Sequence, residues 1–237
     1  MAAPYFKFKQ FIVYHDRSSL KVGTDAVLLG AWADVTGAKK ILDIGTGSGV
    51  IALMLAQRSS AQIDAIDIDE ESFKQAKENF IGSPWSDRLR VQNISLKDFA
   101  ATSTTNYDLI VSNPPYFTDS YKPTDPQRFS ARHNDQLPIN ELAESVSKLL
   151  NESGKFCVIL PVKEAGLLVS AFRNFKIYPE KELAVFSFTG KEVFRKLILF
   201  GSTETNCSRD ELIIETAPGQ GYSKEYIKLT REYYMNF

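Results

Sequence analysis

Short apolar runs alternate with longer amphipathic stretches from Lys40 to Phe200, and few architectures accept that order. Residues Lys40–Ile44, Gln62–Asp67, Arg88–Ile94, Tyr107–Ser112 and Phe156–Leu160 read as strands. Helical patterns over 49–58, 70–80, 139–150 and 162–172 separate them. Lys181–Phe188 and Glu192–Phe200 flank Thr189-Gly190-Lys191 and read as a hairpin. A strand that rejoins its sheet in parallel needs a long crossover, and a helix fills it. The order therefore predicts an α/β fold: a doubly wound, mostly parallel, Rossmann-like sheet closed by an antiparallel hairpin. Outside this core, Phe6–Tyr14 is β-like, Thr24 is expected to N-cap a helix to Trp32, and 223–234 is expected to be a short amphipathic helix. We read 1–237 as a single domain with a cap segment (1–34), a core (35–203) and a C-terminal extension (204–237).

Between the first strand and first helix stands Asp43-Ile44-Gly45-Thr46-Gly47-Ser48-Gly49. Glycines at this spacing let the chain turn tightly and let a ligand approach the backbone, with helix N–H groups facing the gap. The third glycine comes one position earlier than in the nicotinamide-binding loop, and Val50 takes its place. Asp67 ends the second strand, where a carboxylate can accept both hydroxyls of a ribose. Loop and carboxylate, at the ends of adjacent strands, predict a nucleoside in the crevice above the sheet.

Asn113-Pro114-Pro115-Tyr116 closes the fourth strand. Two prolines donate no backbone hydrogen bond and hold φ near −65°, so the strand must stop there in a rigid, carbonyl-rich turn. The Asn113 side-chain oxygen and the Pro114 carbonyl can each accept one N–H of a planar NH2 group, while Tyr116 and Phe117 stack on the ring that carries it. This is a grip for a flat amine whose nitrogen is attacked by an electrophile. After it, Thr118–Gln136 is polar and long, a length that suits a lid or substrate contact.

Composition narrows the class. The chain has 237 residues, 28 basic against 29 acidic, so an extensive phosphate-binding coat is excluded, although local basic patches are not. Lys7, Lys9, Arg17, Lys122, Arg128, Arg132, His133, Lys191, Arg195 and Lys196 are the candidates for nucleic-acid contact. Two cysteines and two histidines, without metal-ligand spacing, predict a reduced, cytoplasmic protein without a metal. The N-terminus carries no hydrophobic signal core and no apolar run is long enough to span a membrane. No obligate protein partner is expected.

The glycine loop, Asp67 and Asn113–Tyr116, in this order, resemble the motifs of class I S-adenosylmethionine-dependent methyltransferases acting on amino or amide nitrogen. Phe8-Lys9-Gln10-Phe11, His15-Asp16-Arg17, Lys21–Asp25, Leu28–Ala33, Asn79, Ser83-Pro84-Trp85, Pro126-Gln127-Arg128 and Ala131-Arg132 are similar to the bacterial tRNA1(Val) adenine-N6-methyltransferases. The resemblance spans nearly the whole chain. It implies methyl transfer to N6 of the adenosine immediately 3′ of the anticodon in tRNA1(Val), with S-adenosylmethionine as cofactor. It further implies that Asp43, Gly45, Gly47 and Gly49 hold the cofactor's methionine part and that Asp67, with Ile68 next to it, meets the ribose side. Asn113 and Thr24 line the same pocket, while Asn113, Pro114 and Tyr116 act on the amine. Tyr116, Phe117, Arg128 and Arg132 are the implied substrate contacts. Where the family often has an acid after the third strand, this chain has Ser95. Either Ser95, with the Leu96 backbone, receives the cofactor's adenine amine, or Asp98 reaches back to it. The grip itself accepts any planar amine, so another RNA, DNA, a protein glutamine or a non-catalytic nucleotide-binding role also fits the motifs alone.

Overall fold

The computed structural model describes residues 3–18, 21–115 and 138–237. Strands β1 (Tyr5–Lys7) and β2 (Ile12–Tyr14) form a small antiparallel ribbon, followed by helix α1 (Thr24–Trp32). The core then runs β3 (Lys40–Ile44), α2 (Val50–Arg58), β4 (Gln62–Asp67), α3 (Glu70–Ile81), β5 (Leu89–Asn93), α4 (Leu96–Thr102) and β6 (Tyr107–Ser112). It continues with α5 (Ile139–Leu149), β7 (Leu150–Leu160), α6 (Val162–Arg173), β8 (Tyr178–Phe188), β9 (Val193–Gly201), β10 (Ser208–Glu215) and α7 (Lys224–Thr230).

All strands from β3 onward join one sheet, in the order β10-β8-β9-β7-β6-β3-β4-β5. Strands β3 to β7 run parallel, and β9 is antiparallel to both β7 and β8. The chain winds outward from β3 through β4 to β5, then returns to the other side for β6 and β7. Sequence order thus reverses between β3 and β6, and their carboxyl ends open the crevice where such sheets bind ligands. Helices cover the central strands on both faces, which is why apolar residues predominate in them. On one face Leu28, Leu29, Leu53 and Met54 of α1 and α2 pack on Ile41 and Val111. On the other, Leu142, Val146, Leu168 and Phe172 of α5 and α6 pack with Leu42 and Ile110.

Helix α3 starts because the Asp69 side chain accepts from the Ser72 N–H at 2.8 Å, with Glu70 and Glu71 in the first turn, and Gly82 ends it. Thr24 does not cap α1. It is the first helical residue, Gly23 holds the N-cap position, and no side chain closes that end. Two elements had no clear signal in the sequence. Helix α4 buries only Leu96 and Phe99, too few to show a period. Strand β10, inside the segment read as an extension, pairs in parallel with β8, yet its first half is exposed and charged, as an edge strand tolerates.

The two ends of the chain meet on the α1–α2 face. Lys9 Nζ donates to the carbonyls of Arg231 (2.6 Å) and Phe237 (2.7 Å), and Phe8 bridges to Tyr234. Tyr233 is buried, its hydroxyl donating to Met54 O at 3.2 Å. Among the described residues no helix is long and apolar enough to cross a membrane.

Candidate active site

The glycine loop turns from β3 into α2 with its three glycines in the left-handed region, at φ +69° (Gly45), +56° (Gly47) and +82° (Gly49). Only glycine adopts that backbone without strain. The positions differ in what surrounds them. A Cβ on Gly45 would meet nothing within 4 Å, so its backbone faces open space, whereas one on Gly49 would lie 2.5 Å from Phe80 Cε1. Gly45 exposes the chain to a ligand; Gly49 lets α3 pack on the loop. The N–H groups of Gly45 and Thr46 donate to Ile66 O at 2.9 and 3.1 Å, tying the loop to β4.

Asp43 lies at the root of this loop and is fully buried. Its Oδ2 accepts from Thr46 Oγ1 at 2.7 Å and from the Ala52 N–H at 3.3 Å, while Oδ1 has no partner. Burial pushes the carboxyl up to about 7; the Thr46 and Ala52 bonds oppose the rise and the Asp67 charge adds to it.

Asp67 stands at the end of β4, beside the loop. Its Oδ2 accepts from the Gly47 N–H at 2.7 Å and its Oδ1 from the Asp69 N–H at 2.9 Å, so the carboxylate is aimed by backbone on both sides. Asn93 at the end of β5 donates to the carbonyls of Asp67 and Ile68, fixing that strand end, and Ile68 leaves 56% of its surface exposed next to it. Ser95 and Asp98 bond each other. Ser95 caps α4, accepting from the Asp98 N–H at 3.1 Å and donating to Asp98 Oδ2 at 2.7 Å. Leu96 is buried behind them.

Across the switch point, Ser112 is the strand partner of Ile44, and Ser112 Oγ donates to Ile44 O at 3.0 Å. Adjacent strands lie about 4.8 Å apart, so the residues that follow this pair, Gly45 and Asn113, leave neighbouring strand ends together. Asn113 is half-buried and Pro114 buried. Tyr116, Phe117, Arg128 and Arg132, with Lys122 and His133, lie outside the described residues.

Several other candidates have partners within the chain. Asp25, beside Thr24, pairs with Arg195 of β9 at 2.8 Å, Lys196 pairs with Glu182 at 2.7 Å, and Arg17 pairs with Glu78. Lys9 is held by the C-terminal carbonyls. Lys191 sits 5.1 Å from the centre of the Phe188 ring at the hairpin tip. His15 is buried: its Nδ1 accepts from the Val22 N–H at 3.3 Å and its Nε2 lies 3.2 Å from Ala3 O, which makes it a tether for the N-terminal segment. Among the described residues no cluster of His, Cys, Asp or Glu could hold a metal ion. The reading from sequence missed Ser112 and Thr46, which fix the strand ends and the loop by single side-chain bonds that leave no periodic trace.

A reversed strand order with a glycine loop and an acidic strand end at its crevice, and an Asn-Pro-Pro turn beside them, defines a class I S-adenosylmethionine-dependent methyltransferase. A family profile described as "Methyltransferase small domain" matches residues 17–178. A tRNA1(Val) (adenine(37)-N6)-methyltransferase of Bacteroides thetaiotaomicron is 48% identical over 239 residues, covering 100% of this chain and 99% of its own length. One of Flavobacterium psychrophilum is 47% identical over 232 residues, covering 97% and 99%. The fold also matches a crystal structure of a predicted O-methyltransferase from Agrobacterium tumefaciens, with a TM-score of 0.71 at 15% identity over 88% of this chain and 96% of that one. The chain belongs to the tRNA1(Val) (adenine(37)-N6)-methyltransferase family.

Proposed function

We propose that this chain methylates N6 of the adenosine immediately 3′ of the anticodon in tRNA1(Val). The observation that carries the reading is the Ser112–Ile44 pairing, which sets the Asn113 turn beside the glycine loop. Relatives of that name at nearly half identity over their full length support the choice of substrate.

The donor set suits the cofactor. Asp43 Oδ1 is a buried acceptor without a donor, complementary to the ammonium of an amino acid, and the open backbone at Gly45 admits a close ligand. Asp67, aimed by Gly47, would accept the ribose hydroxyls, with Ile68 exposed against the adenine and the Ser95–Asp98 pair receiving the adenine amine. Bound S-adenosylmethionine supplies a methyl group activated by its sulfonium. The protein's part is alignment. Asn113 Oδ1 and the Pro114 carbonyl accept the two N–H groups of the target amine and hold its nitrogen toward the loop. Their dipoles also stabilise positive charge growing on that nitrogen, and the proton it sheds leaves to water, so neither histidine is needed as a base. The adenine must leave its stack, and Tyr116 and Phe117 would replace that stacking at about 1–3 kcal/mol per base. Arg128 and Arg132 would meet the RNA backbone.

We read 35–203 as the catalytic core, 1–34 as its cap and 204–237 as an extension, acting in the cytoplasm without an obligate protein partner. The test is a pair of tRNA1(Val) transcripts, one with guanosine in place of the target adenosine. Labelled methyl should enter the first and not the second; equal labelling of both would refute the assignment.

A further inference from the structure

One face of α3 holds the N-terminal segment against the cofactor loop. Gln75, Glu78 and Asn79, at i, i+3 and i+4, lie on the same side of the helix. Asn79 is buried; its Oδ1 accepts from the Tyr14 N–H at 3.0 Å, and its Nδ2 donates at 2.8 Å both to Tyr14 O and to Ser48 O in the loop. Gln75 Oε1 accepts from the Arg17 N–H at 3.1 Å, and Glu78 pairs with the Arg17 guanidinium. Residues 14 to 17 are therefore docked on the helix that also packs under Gly49. The next side chain, Ser18, is carried to the loop: its Oγ lies 3.5 Å from where a Cβ on Gly47 would stand. That hydroxyl is shielded from solvent and has no hydrogen-bond partner. A buried hydroxyl without a partner is unusual, and a built segment that delivers one to a ligand-binding loop calls for a ligand acceptor.

We propose that Ser18 is a cofactor-binding residue whose hydroxyl donates to the carboxylate at the amino-acid end of S-adenosylmethionine. The inference rests on the function proposed above. Asp67, an acceptor, suits the ribose hydroxyls, whereas Ser18 supplies a donor on the other class of group, at a loop whose root holds the unpartnered acceptor of Asp43. Asn79 is the positioning residue that sets the loop and the Ser18 segment in one frame.

The test is calorimetric binding of two ligands to the full chain. S-adenosylhomocysteine carries the amino-acid end and methylthioadenosine lacks it. Ser18→Ala should weaken S-adenosylhomocysteine about tenfold, as for one hydrogen bond to a charged group, and leave methylthioadenosine and the unligated melting temperature unchanged. Equal binding of S-adenosylhomocysteine by Ser18→Ala and the unsubstituted chain overturns the role of Ser18 while the enzyme assignment stands. Equal weakening of both ligands also overturns it, because the effect would then be on the frame. An unsubstituted chain that binds neither ligand defeats the function reading itself.

Discussion

Burying the Asp43 carboxyl costs the unligated protein stability whenever that carboxyl must ionise. Its folded value is about 7 against 3.8 for the free group. Below about pH 4 both states are protonated and the penalty is absent. Between those values the unfolded chain releases the proton and the folded chain keeps it, so stability falls as pH rises, by on the order of 4 kcal/mol in full. Urea unfolding of the unligated chain should show this decline from pH 4 to pH 7, and Asp43→Asn should flatten it. A slope that survives the substitution would move the origin elsewhere. On the proposed function, the Asn113 side-chain oxygen accepts from the target amine. Asn113→Ala should lower the single-turnover rate at least about 100-fold, the scale of losing one preorganised polar group, with cofactor affinity within about twofold. Near-normal turnover would remove Asn113 from the reaction.

At the scale of elements, the loop and α3 form one packing unit through Gly49 and Phe80. Gly49→Ala adds a Cβ 2.5 Å from Phe80 Cε1 on a backbone held at φ +82°. Overpacking and left-handed strain together predict a loss of about 2–4 kcal/mol by chemical denaturation. Adding Phe80→Leu should restore the steric share alone; no recovery would mean the strain is wholly in the backbone. The elements also show which signals a sequence carries. Lys40–Ile44, Gln62–Asp67 and Tyr107–Ser112 were legible to the residue, because strands paired on both sides in a covered parallel sheet are rich in apolar residues and bounded by turn residues. The end of α1 opposite Trp32 was not: Thr24 looks like a cap by type, yet Gly23 occupies the position. Strand β10 was hidden because an edge strand buries one face only over Leu212–Glu215. The glycine loop, Asp67 and Asn113 announce themselves by residue type at strand ends. Asn79 and Ser18 do not, since a side chain that bonds distant backbone leaves no period and no spacing.

Over the whole molecule, the termini and the loop close around the same layer of helices. Tyr233 reaches from the C-terminal turn to the carbonyl of Met54 in α2, and Phe8 from the N-terminal ribbon packs on it, with ring centres 6.4 Å apart. Tyr233→Ala should therefore destabilise the full chain by about 3–5 kcal/mol, the usual cost of emptying a large aromatic site, in thermal or denaturant unfolding. A change below about 1 kcal/mol would show that the ends pack on the core without supporting it. On the proposed function, the switch point above the sheet brings an electrophile at the glycine loop to an amine at Asn113, two strand ends away from Asp67. On that reading the arrangement sets the reaction, and the relatives' names support the choice of substrate. The most direct measurement is labelled methyl transfer from S-adenosylmethionine onto total tRNA from a strain lacking the enzyme, followed by mass mapping of the labelled nucleoside. The expected product is N6-methyladenosine immediately 3′ of the anticodon of tRNA1(Val). Label at any other nucleoside, or none in tRNA at all, would contradict it.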